Sequence, residues 1–154
     1  MQQADLGQIT TMFVFTPAEG STWRMTLESF ASALQQRTPG EFTRVWDDPA
    51  DGASAHVTMS FTYTLHEEEL EGIASVRTEG VSLVNVTAQQ AAEFVDWLRR
   101  EVVPTGETVE FNTEAGMEWD FDDEIVPDGP PQTTLGVFLA HIARVVAADR
   151  GELG

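Results

Sequence analysis

The residues with the most obvious chemical potential lie between Gly116 and Pro130, "GMEWDFDDEIVPDGP", where six of fifteen residues are acidic and none is basic. Clustered carboxylates do one of three jobs: bind a hard cation, work as an acid–base pair, or pair with a cationic partner. The first can be checked against known spacing. A calcium loop begun at Asp120 places Asp122 and Glu124 at its third and fifth positions. The sixth position then falls on Ile125 instead of glycine and the twelfth on Pro131 instead of glutamate. The sharp turn and the bidentate ligand are both missing. A glycosidase-like pair needs only two acids at a suitable separation, and nothing selects two from the 26 present.

Other catalytic constellations fail on residue type. Without cysteine there is no thiolate ligand, disulfide or thiol nucleophile. Without lysine there is no phosphate-loop lysine and no Schiff base. "DGASAH" (51–56) approaches a nucleophile elbow, but the second glycine is missing, with His56 in its place, and the segment leads into a strand. "HEEEL" (66–70) lacks the second histidine of a zinc helix, because position 70 is Leu. His66 reads as an exposed loop residue. His141 reads as a boundary histidine with one satisfied nitrogen. The chain is therefore expected to be non-enzymatic, with no metal and no cofactor.

The elements that hold these residues follow from periodicity. "TMFVFTP" (11–17) reads as a strand and "STWRM" (21–25) as its return. Thr26 caps a helix over 27–37, with Leu27, Phe30, Ala31 and Leu34 on one face. Strands are expected at 42–46, at 55–65, where Val57, Met59, Phe61, Tyr63 and Leu65 alternate with polar residues, and as a hairpin at 73–78 and 81–86. Residues 66–72 read as a polar strand end. A capping box from Thr87 to Gln90 opens a second helix. Residues 108–112 and 117–121 alternate across "TEAG" as a hairpin. Val109, Phe111, Met117, Trp119 and Phe121 are then buried, and Glu110, Glu118 and Asp120 displayed. Thr133 caps a last helix. The result is an α+β fold, an antiparallel β-sheet with about three helices packed on one face. Residues 1–11 are expected to be a loose N-terminal leader, 12–149 a single α+β domain and 150–154 a frayed tail.

Charge then narrows the partners. The net charge is −18, all eight basic residues are arginine, and none lies between Arg100 and Arg144. Such a field repels nucleic acid and anionic membranes and attracts basic proteins. The N-terminus has no basic stretch and its first charge is Asp5, so no secretory signal is expected and the cytoplasm is the expected location. A row of carboxylates from Glu114, Glu118, Asp120, Asp122, Asp123, Glu124 and Asp128 suits arginine or lysine of a partner. "VWDDPAD" (45–51) offers a second acidic turn, with Trp46, Asp47 and Asp48 on the same expected face. The alternative is a solvated face that only aids solubility.

The segments "FVFTPAEG", "TLESFASALQQR", "AAEFVDWLRREVVP" and "VEFNTEAGMEW" together resemble small acidic proteins of actinobacterial type. Some domains of that kind look similar to toxin-immunity proteins, which cover the basic active-site cleft of a cognate toxin. The resemblance implies an immunity or inhibitor role toward a basic partner protein. The alternatives are an adaptor or secretion chaperone with an apolar groove, and a carboxylate-based metal-binding domain or enzyme.

Overall fold

The computed structural model of the chain describes residues 3–46, 58–76 and 79–151. Among the described residues, seven strands form one antiparallel sheet: β1 (Thr11–Pro17), β2 (Thr43–Trp46), β3 (Thr58–Leu65), β4 (Glu68–Ser75), β5 (Gly80–Val86), β6 (Val109–Thr113) and β7 (Glu124–Ile125). Their spatial order is β2-β3-β4-β5-β1-β6-β7. Three long helices, α2 (Leu27–Arg37), α3 (Ala88–Glu101) and α5 (Pro131–Asp149), bury one face of the sheet. Two one-turn helices, α1 (Gln3–Leu6) and α4 (Glu114–Glu118), are the remaining helices among the described residues. This is the expected α+β class. Leu6 is buried in the core, so part of the segment read as a loose leader packs on the domain.

Alternation fixes which face is covered. In β3, Met59, Phe61, Tyr63 and Leu65 are buried and the residues between them are half-exposed. Their rings meet Phe30 of α2 and Phe94 and Trp97 of α3. Across the sheet, Phe13, Phe15 and Phe111 close on Phe138 of α5. Aromatic burial on this scale is the main favourable term holding helices to sheet. The opposite face, with Ser60, Thr62, Ile73, Val84 and Val14, carries no helix among the described residues.

The capping signals read from sequence are present. Thr26 caps α2 and Thr87 caps α3, each through a reciprocal capping box. Four expectations are corrected. Residues 66–72 are not a strand end: β4 begins at Glu68, because His66 and Glu67 both take positive φ (50° and 67°) and form a two-residue hairpin turn. Residues 21–25 form no strand. The Glu79 carboxylate instead accepts hydrogen bonds from the Trp23 and Met25 amides and the Thr22 hydroxyl, at 2.7–2.8 Å. Helix α5 starts at Pro131 and not after Thr133, since a proline at the first helical position gives up no needed N–H.

The fourth correction concerns the acidic segment. Residues 117–121 are not the second strand of a hairpin. The Thr113 hydroxyl accepts from the Gly116 amide at 2.8 Å and nucleates α4, and Asp120 at φ 58° then reverses the chain. The strand that pairs with β6 is β7, with Phe111 opposite Glu124. Met117 and Trp119, expected in the core, are 44% and 46% exposed. Phe121 is half-buried.

Candidate functional site: an acidic projection with an exposed tryptophan

The segment from Glu114 to Asp128 leaves the end of β6 as a helical turn, reverses, and returns as β7. A buried polar network clamps it from beneath. Asn112 donates to the Phe121 carbonyl at 2.9 Å and to the Asp123 carboxylate at 3.0 Å, while its own side-chain oxygen accepts from the Thr113 amide. His141, 1% exposed, contacts Glu124 through Nδ1 at 2.7 Å and the Thr113 hydroxyl through Nε2 at 2.8 Å. Arg144 donates to the same Glu124 oxygen at 3.0 Å, with its guanidinium 4.7 Å above the Phe121 ring. The Phe121 amide bonds back to the Gly116 carbonyl. His141 therefore has both nitrogens engaged, where the sequence reading allowed it one.

Glu124, His141 and Thr113 stand in the order of a carboxylate–histidine–hydroxyl relay. Their burial decides what the relay does. Thr113 is fully buried and its hydroxyl already accepts the Gly116 amide, so a substrate carbonyl has no approach to it. The relay holds the loop in place. Among the described residues, no three His, Asp or Glu side chains converge to hold a metal ion.

The expected partner-binding residues divide into two groups. Asp123, though exposed, and the half-buried Glu124 are tied by hydrogen bonds to Asn112, His141 and Arg144, and serve as struts. Glu114, Glu118, Asp120 and Asp122 are exposed, and their carboxylates have no hydrogen-bond or ion-pair partner among the described residues. Asp128 is exposed, 3.9 Å from Arg99, whose guanidinium is committed to the Val126 and Pro127 carbonyls. The Trp46 side chain, Asp47 and Asp48 lie outside the described residues, as do Ser54 and His56. The structure thus brings four unpaired carboxylates together with the exposed Trp119 and Met117. They sit on two sides of a turn and do not form the expected linear row.

Sequence reasoning missed Asn112, Thr113 and Arg144 as the clamp. The one local signal was Thr113 followed three residues later by Gly116, a capping spacing hidden inside an apparent turn. The pairings of Glu124 with His141 and Arg144 span 17 and 20 residues and leave no local trace.

Fold and site together define a small acidic α+β domain with a hydrogen-bonded, carboxylate-rich loop. No protein-family model matches the chain, and no curated protein or solved structure is significantly similar to it. Among the described residues no helix is long and apolar enough to cross a membrane.

Proposed function

We propose that this chain is a non-enzymatic acidic binding protein of the immunity or inhibitor type, which occludes the cationic site of a basic partner protein. The observation that carries the reading is the exposure of Trp119 among Glu114, Glu118, Asp120 and Asp122. A tryptophan face and nearby carboxylates attract the same ligand, a guanidinium or ammonium group, one through its π-system and the others through charge. Tryptophan is also the residue type most enriched at binding hot spots. The clamp beneath the loop supports the reading further, because a pre-ordered loop loses little entropy on docking. The charge of −18 would steer the encounter, raising association by about 10- to 1,000-fold at low salt.

The test is affinity capture from native lysate at low salt, with the wild type beside a Trp119→Ala, Asp120→Asn, Asp122→Asn variant. A basic protein retained by the wild type, released by a salt step and lost with the variant is the expected result. Equal retention by both would overturn the site assignment.

A further inference from the structure

We infer that the groove beside α4 receives the side chain of a lysine from that basic partner. The inference rests on the binding reading above and names what the surface recognises. A cavity of about 360 Å³ opens between α4, the start of β1 and α5. Its apolar lining includes Ile9, Met12, Val84, Ile142, Val145 and Val146. Glu114 and Glu118 also line it, and no basic residue does among the described residues.

The two glutamates are four residues apart on α4 and so share one side of the turn. Neither has an internal partner among the described residues. An apolar wall closed by two carboxylates matches an unbranched alkyl stem with a cationic tip. The stem covers apolar surface, as long cationic side chains do, and the ammonium sits as a point charge between the carboxylates. An uncharged apolar group would desolvate two carboxylates without compensation. An anion would be repelled. A second copy of this chain is a poor occupant, since both copies carry −18. Glu118 joins the groove to the Trp119 surface, so one basic partner spans both.

The test uses amide NMR of the full chain at low salt, titrated with N-acetyl-lysine methylamide and its norleucine and diaminopropionate counterparts. Norleucine keeps the stem without the charge, and diaminopropionate keeps the charge without the stem. Saturable shifts at Met12, Val84, Ala115, Glu118 and Val145 are expected for the lysine probe, with at least about tenfold weaker binding of both counterparts. A Glu114→Gln, Glu118→Gln variant should bind the lysine probe at least about tenfold more weakly, while a charge-matched Glu19→Gln, Glu28→Gln variant should not. Equal binding of lysine and either counterpart, or full binding by the Glu114/Glu118 variant, would overturn the inference. If that variant loses its folded spectrum, the three probes on the wild type decide alone. Failure here alongside Trp119-dependent capture would remove only the lysine groove. Loss of that capture with lysine-probe binding intact would remove only the partner assignment.

Discussion

Gly116→Ala tests the clamp most directly. Gly116 lies in α4 without a positive φ, so helix propensity alone favours alanine by up to about 1 kcal/mol. The structure reverses the sign. A Cβ there would stand 2.5 Å from the Asn112 Oδ1 and 2.8 Å from the His141 Nε2. Carbon contacts are most favourable near about 3.5 Å, so one side must move by about 1 Å. Asn112 is held by three hydrogen bonds and His141 by two, so neither yields freely. Overpacking costs about 1–3 kcal/mol, and a broken buried hydrogen bond adds about 1–3. After the propensity gain the net loss should be about 1–5 kcal/mol. Gly136→Ala is the internal control. It is helical, exposed and free of neighbours within 4 Å, so it should stabilise by about 0.5–1 kcal/mol. Urea unfolding of both variants gives the comparison. A Gly116→Ala protein as stable as the wild type would refute the account of the clamp.

Trp119→Ala should change stability by less than about 1 kcal/mol, because the side chain is half-exposed, yet weaken partner binding by about 2 kcal/mol or more; unfolding and titration calorimetry separate the two. Glu79→Gln should cost about 1–3 kcal/mol in thermal unfolding, since an amide cannot accept all of the Thr22, Trp23 and Met25 bonds. Burial raises the Tyr63 phenol above its ordinary value of 10.0, against the opposing charge and hydrogen bond of Arg37. The unfolded chain therefore ionises first. The stabilisation is complete below that ordinary value and lost as pH climbs through the raised one, a slope that Tyr63→Phe should remove from urea midpoints taken across that range. Raising salt should stabilise the free protein by screening self-repulsion but slow its association with a basic partner, as stopped-flow rates would register.

Legibility tracked locality. The capped helices at Thr26 and Thr87 and the alternating strand at Thr58–Leu65 were readable because each is set by residues three or four positions apart, or by strict period two. The β3–β4 turn was not, because His66 and Glu67 lack the glycine or asparagine that usually marks positive φ. The segment from Met117 to Phe121 misled for a different reason. Its alternation of apolar and acidic residues is as regular as that of a strand. A single hydrogen bond from the Gly116 amide to Thr113 competes with that alternation, and contacts with α5 decide in its favour.

Composition and short-range pattern by themselves determined the α+β class, most element positions and the acidic field. Those properties depend on charge totals and on neighbours within a turn or a pleat. Only the tertiary structure decided which carboxylates are struts and which are free, and that Trp119 faces outward. Burial and ion pairing depend on what α5 brings against the end of β6, across 17 to 28 residues of chain.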